Sequence, residues 1–295
     1  MRLVTNTEGL ADALGHAQAV RLIAEAGFNG VDCSFFDMKA EGSVWCADGW
    51  REYARQLRSV ADSCGVVFRQ AHAPFHTTIG EEPYDSDMRK KILRSMEAAA
   101  ILGVENIVVH AIRHLNYHIY REQLFQMNLD FYRSLIPYCQ EFGIRVCVEN
   151  VYRTDRNRWV LTDGVCTRPE EFAALLDTVD SPWIGGCLDI GHAALVSQDP
   201  ADMIRRMGKR IHCLHVHDVD YTHDNHTMPF TQSLDWDSIT EALGQIDYRG
   251  DFTFEAAQTL MKLPQKLWPD GLHMMERVGR YLIERIEENR LPAKQ

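Results

Sequence analysis

The sequence predicts an α/β fold, a single (β/α)8 TIM barrel forming one domain over residues 1–295. Three observations carry this expectation. Short apolar runs alternate with amphipathic segments along the chain, the pattern of parallel strands joined by crossover helices. The alternation gives eight units, which favours a closed barrel over an open sheet. The length of 295 residues also suits a barrel, which takes about 250.

The elements follow in order. A first strand at Leu3–Thr5 leads to a helix over Gly9–Ala26, stopped at Gly27. Glycine ends helices because it takes positive φ without steric cost. The second strand, Gly30–Ser34, precedes a helix over Asp48–Ser63, followed by Gly65. The third, Val66–His72, precedes Asp85–Leu102, which ends at Gly103. Asp85 is expected as its N-cap, with acid in the first turn favoured by the helix dipole. Asn106–His110 is followed by Arg121–Phe142 and Gly143. Ile144–Glu149 is followed by Thr167–Thr178, with Pro169 in the first turn, where a missing N–H costs nothing. Ile184–Ile190 pairs with helix Pro200–Met207, Ile211–His217 with Asp235–Leu243, and Asp251–Glu255 with a last helix over Gly271–Glu288.

Composition narrows the partners. The formal net charge is −11, with no dense Lys/Arg run, so nucleic acid is disfavoured. Eight scattered cysteines form no CxxC pair, which speaks against a disulfide framework. No apolar run reaches the roughly 18 residues of a membrane helix. The start, MRLVTNTEG, lacks the apolar core of a signal peptide. A cytoplasmic protein is expected. A homo-oligomer is compatible with the last helix and the loops, though nothing in the sequence requires it.

Barrel active sites lie at the C-terminal ends of the strands. Here those ends carry His72, His110, Glu149, Asp189 with His192 beyond it, His215 with His217, and Glu255. Side chains alternate between faces along a strand. In VCVEN, Val146 and Val148 oppose Cys147 and Glu149; in FTFEA, Phe252 and Phe254 oppose Thr253 and Glu255. The strands bearing His110, Asp189 and His215 alternate likewise, so the apolar pairs face the helices and the polar residues face the lumen. A lone buried histidine is ordinarily satisfied by a neighbour. Several carboxylates in one lumen are different, because unpaired buried charge is costly and a cation would neutralise it. Glu149, Asp189, His215 and Glu255 offer carboxylate oxygens and an imidazole nitrogen, a mix suited to one Mn, Mg, Co or Zn ion.

The segments VEN, LDIGHA, HVHD, DNH, LDW and FTFE, taken in order, resemble the xylose-isomerase-like superfamily of sugar isomerases and epimerases, including its ketose 3-epimerase branch. The resemblance implies that Glu149, Asp189, His215 and Glu255 are metal ligands. It implies that Glu149 and Glu255 are also the acid–base pair, moving a proton beside a carbonyl through an enediolate that the metal stabilises. His192 would contact the substrate, a small carbohydrate: a sugar, a sugar phosphate or a related polyol ketone. His72, His110 and His217 are further candidate substrate contacts. The same superfamily contains zinc-dependent apurinic endonucleases with a trinuclear site. Residues of the right type stand at all nine of their ligand positions: His72, His110, Glu149, Asp189, His192, His215, Asp224, His226 and Glu255. The acidic charge favours the isomerase. One departure stands out: a Pro-Gly-x-Gly turn frequent in relatives is replaced by Pro229-Phe-Thr-Gln-Ser-Leu-Asp-Trp236, in a loop expected to shape substrate choice.

Other polar and aromatic groups have two readings. Arg113, His114 and His118 after the fourth strand, with Arg153, Arg156 and Arg158 after the fifth, are either an anion site or solvated loops. Trp45, Trp50, Phe35, Phe36 and Trp159 are either a wall for a sugar face or ordinary packing. His16, His212, His223 and His273 are read as structural or exposed, and His76 as loop packing.

Overall fold

A computed structural model describes residues 1–155 and 159–290. Eight parallel strands form one sheet: β1 (Leu3–Asn6), β2 (Gly30–Ser34), β3 (Val67–His72), β4 (Asn106–Val108), β5 (Arg145–Glu149), β6 (Ile184–Asp189), β7 (Ile211–His215) and β8 (Phe252–Phe254). From β1 to β7 each strand pairs with its sequence neighbours, and β1 also pairs with β8. The ring closes at Val216, whose N–H donates to Thr253 O at 2.9 Å and whose carbonyl accepts from Glu255 N at 3.1 Å. Closure therefore happens between His215 and Glu255, and the backbone bonds that shut the barrel also fix the spacing of these two side chains.

Helices α1 (His16–Glu25), α2 (Trp50–Ser63), α3 (Tyr84–Leu102), α4 (Tyr117–Phe142), α5 (Pro169–Val179), α6 (Pro200–Met207), α7 (Trp236–Gln245) and α8 (Trp268–Glu288) follow the strands in turn. The core lies between strands and helices; Phe252, Phe254, Val146, Val148, Leu188 and Leu214 are all 0% exposed. Each such side chain contributes about 1.5–3 kcal/mol through burial. The opposite strand faces form a floor inside the barrel, where Val108, Cys147, Cys187 and Cys213 pack together. Each sits two residues before His110, Glu149, Asp189 and His215, as alternation requires. All eight cysteines are free thiols.

Several boundaries differ from expectation. The helix foreseen over Gly9–Ala26 is two helices, Leu10–Leu14 and α1, separated at Gly15 with φ 80°. Asp85 is inside α3, whose N-cap is Pro83; its carboxylate accepts from Glu81 N at 2.8 Å and from the Thr78 hydroxyl. α4 starts at Tyr117 because Asn116 caps it, accepting from His118 N. β4 and β7 stop two residues before His110 and His217, where ladder partners run out at the barrel mouth. An unforeseen hairpin, Arg153–Asp155 against Val160–Thr162, follows β5; Arg156 and Arg158 lie outside the described residues. No described helix is long and apolar enough to cross a membrane.

Candidate metal centre

Glu149 ends β5, Asp189 ends β6, His215 ends β7 and Glu255 follows β8. Ladder register sets Asp189 beside His215. Asn150 clips β5 to β6, its Nδ2 donating to Asp189 O and its Oδ1 accepting from Asp189 N, both at 2.8 Å. The four side chains bring ligand atoms within 4.8 Å of one another, and all four are buried. His215 Nδ1 lies 2.7 Å from Glu149 Oε1, 3.3 Å from Glu255 Oε2 and 3.9 Å from Asp189 Oδ2. One imidazole thus faces three carboxylates.

That ratio governs the electrostatics. Burial pushes Glu255 up to about 7; His215 and His226 pull it down, while Glu149 and Asp189 push it further. Burial also works against ionised Glu149, but His215 and His110 outweigh it and hold Glu149 well below the usual carboxylate range. Burial opposes charge on His215, yet Glu255 and Glu149 raise it well above an ordinary imidazole. His215 Nε2 is buried without a hydrogen-bond partner. A divalent cation fits this donor set: it answers the excess negative charge and takes both oxygen and nitrogen ligands.

Two further groups adjoin. His72 and His110 approach Glu149, with His110 Nε2 at 2.6 Å and His72 Nε2 at 3.6 Å from Glu149 Oε2. Burial drives His110 down to about 3, against the pull of Glu149. The other group is His192, His217, Asp224 and His226. His226 Nε2 is 3.1 Å and His192 Nε2 3.5 Å from Asp224 Oδ2. His217 stacks on His226 with centroids 4.1 Å apart, and its Nε2 lies 3.0 Å from Asp189 Oδ1. This packing depends on Gly191, where an added Cβ would stand 2.1 Å from His217 Cε1.

The structure thus brings Glu149, Asp189, His215 and Glu255 together, with His72, His110, His192 and His217 around them. Of the two readings of the aromatic residues, ordinary packing holds for Phe35, Trp45 and Trp50, which are core residues; Trp45 packs on Phe35, His16 and Tyr53. Phe36 does reach the site, edge-on to His72 at 4.6 Å. His16 accepts from Trp45 Nε1 at 3.2 Å and is structural. Two residues escaped sequence reasoning. Asp32 on β2 is buried in the lumen, its Oδ2 accepting from Gln70 Nε2 at 2.9 Å and lying 3.9 Å from His215 Nε2. A lone aspartate inside the run GVDCS was the available signal. Tyr152 donates to Asp224 Oδ2 at 3.0 Å, and no sequence pattern marked it.

Comparison with known proteins places the fold. A family model described as xylose isomerase-like TIM barrel matches residues 20–278. An uncharacterized protein, y4fM of Sinorhizobium fredii (strain NBRC 101917 / NGR234), is 27% identical over 291 residues, covering 88% of this chain and 86% of its own. A solved D-tagatose 3-epimerase-like protein superposes with TM-score 0.76 at 20% identity, over 98% of this chain and 99% of that one. A D-psicose 3-epimerase solved with D-fructose gives TM-score 0.75 at 14% identity, over 96% and 99%.

Proposed function

Because the chain belongs to the xylose isomerase-like TIM barrel family, we propose that it is a divalent-metal-dependent isomerase or epimerase of a small carbohydrate. The observation that carries this reading is the convergence of Glu149, Asp189, His215 and Glu255, from four consecutive strands, within 4.8 Å. Structures of matching fold include a D-tagatose 3-epimerase-like protein and a D-psicose 3-epimerase, which supports ketose chemistry. Glu149, Asp189, His215 and Glu255 would hold one Mn, Mg, Co or Zn ion. When bound, that ion supplies Lewis-acid polarisation of the substrate carbonyl, worth several kcal/mol of barrier.

The protein's own groups move the proton. Glu149 and Glu255 both approach His215 Nδ1, at 2.7 Å and 3.3 Å. One carboxylate takes the proton from the carbon beside the carbonyl; the other returns a proton to the opposite face or to the neighbouring carbon. The sum is an isomerisation with no net gain or loss of atoms. A positioned carboxylate contributes typically 10²–10⁴-fold as a general base. His192, whose Nδ1 lies 3.0 Å from Asn150 O, presents Nε2 toward the site and would orient substrate oxygens, with His72, His110 and His217 around it.

The test is deuterium wash-in. The metal-loaded protein should incorporate label next to the carbonyl of a ketose in deuterated water. Glu149→Gln and Glu255→Gln should each abolish incorporation; full incorporation in either variant would sink the two-base mechanism.

A second reading is a zinc-dependent hydrolase of apurinic-endonuclease type. One observation favours it: all nine candidate ligands fall, together with His217, within four potential ligand groups at the barrel mouth. Three tightly held zinc ions per chain and cleavage of an abasic duplex would establish it over the isomerase.

A further inference from the structure

We infer that the cavity at the barrel mouth receives an anionic group of the substrate, a phosphate ester or a carboxylate; this deepens the isomerase reading and rests on it. The cavity has a volume of about 810 Å³, within the roughly 300–1,000 Å³ of small-molecule sites. Its wall carries Arg113, Arg153, His76, His114 and His118 beside one carboxylate, Asp155. In a chain of net charge −11, this is a local reversal of sign. A concave, positively lined wall concentrates anions.

The basic groups are left available. Arg113 donates to Tyr152 O at 2.9 Å and approaches His76 Nδ1 at 3.4 Å; among the described residues no carboxylate forms an ion pair with it. The Arg153 guanidinium has no hydrogen-bond or ion-pair partner among the described residues. His114 Nδ1 is buried without a partner. Burial, then Arg113 and Lys39, hold His76 below the ordinary imidazole range. Arg113 and Arg153 carry the positive charge of this wall, and an incoming anion is attracted to it. A guanidinium also offers the forked donors that match phosphate and carboxylate oxygens.

The cavity adjoins the carboxylate cluster. Phe75 stacks on His110 with centroids 4.7 Å apart, and the next residue, His76, lines the cavity. Glu149 acts on the charge of Arg113. A substrate with its carbonyl at Glu149 and Glu255 would point its far end at Arg113 and Arg153. The anion therefore belongs to the substrate and is not a separate effector.

Two measurements on the metal-loaded full chain test this. Calorimetric titration with inorganic phosphate should show binding that Arg113→Gln and Arg153→Gln each weaken at least tenfold. Arg153→Gln is the cleaner variant, because among the described residues the Arg153 guanidinium makes no bond that its loss would disturb. No binding, or binding unchanged in both variants, overturns the proposal. Deuterium wash-in is then compared across neutral ketoses, ketose phosphates and ketose acids. Preference for the phosphates or for the acids supports the site and identifies its anion. Exchange confined to neutral ketoses overturns it. No exchange with any sugar, while phosphate binding still depends on Arg153, sinks the isomerase reading and leaves the anion site standing.

Discussion

Two groups of side chains share one wall of the barrel mouth and have opposite charge ratios. Around His215, three buried carboxylates meet one imidazole; around Asp224, three imidazoles meet one carboxylate. In the second group each charge has a partner. Burial opposes charge on His192, yet Asp189 and Asp224 raise it to about 9, and His192 and His226 hold Asp224 well below the carboxylate range against burial. The first group is less well balanced: His215 faces three carboxylates, while burial holds the neighbouring His110 and His217 below the ordinary imidazole range. Histidine-rich sequence alone does not make a metal site; the count of opposing charges facing each histidine does.

The largest expected effect follows from that asymmetry. The purified protein should hold one tight divalent ion per chain by elemental analysis, in the carboxylate-rich group. Asp189→Ala or His215→Ala should lower affinity by more than the roughly 10–100-fold that follows loss of a residue merely supporting a ligand. Unchanged ion content in either variant breaks the comparison, because the ion would then sit elsewhere.

Asp32 is next in size. Histidine ligands ordinarily donate their second ring N–H to a carboxylate, carbonyl or water. His215 Nε2 has no partner, and neither has Asp32 Oδ1, while Asp32 Oδ2 is 3.9 Å from that nitrogen. A shift of about 1 Å brings the pair to hydrogen-bond distance and fixes Nδ1 as the coordinating atom. Asp32→Asn is expected to weaken metal binding about 10–100-fold, read by competition with a chelator. Equal affinity in the variant would show that His215 is oriented by packing alone.

The fold was legible because barrel strands obey a strict period of two and helix ends carry glycines. Gly103 and Gly143 do terminate α3 and α4 at positive φ. The ends of β5 to β8 were legible for the same reason: in VCVEN or FTFEA a polar residue on the lumen face has no bland explanation. Asp32 was not legible, because its role depends on Gln70 and His215, which lie 38 and 183 residues away and meet it only in the closed barrel. The Gly9–Ala26 segment misled because Gly15 costs a helix little more than any interior glycine, and only the backbone shows that it breaks there. The buried position of Trp45 was equally hidden, since an aromatic residue in a loop reads the same whether it faces a sugar or the core.

The charge ratio also predicts a pH dependence. Glu255 rises from 4.5 to about 7 on folding without an ion. A raised folded value means that the stability tied to its proton is present below about 4.5 and lost as pH climbs through 7. A bound cation opposes that loss by stabilising the ionised form. The rise in Tm on adding Mn²⁺ should therefore grow between pH 5 and pH 8. A shift that is constant or shrinks over this range would mean that Glu255 is already ionised in the metal-free protein.

The smallest effect should come from the group around Asp224. Asp224 is partly exposed, with a side-chain exposure of 20%, and it touches the carboxylate-rich group only through its neighbours. His226 Nδ1 reaches Glu255 O at 2.9 Å, so Asp224 acts on Glu255 at one remove. Interactions of this partly screened kind are worth about 0–1 kcal/mol. Asp224→Asn should leave the ion count at one per chain and change metal affinity by no more than about fivefold, the upper end of that range. It should also lower the proton affinity of His192, which NMR titration of the imidazole reads directly. A loss of metal as large as that of Asp189→Ala would show that the two groups act as one centre, and the contrast in charge between them would then be a property of the metal-free protein alone.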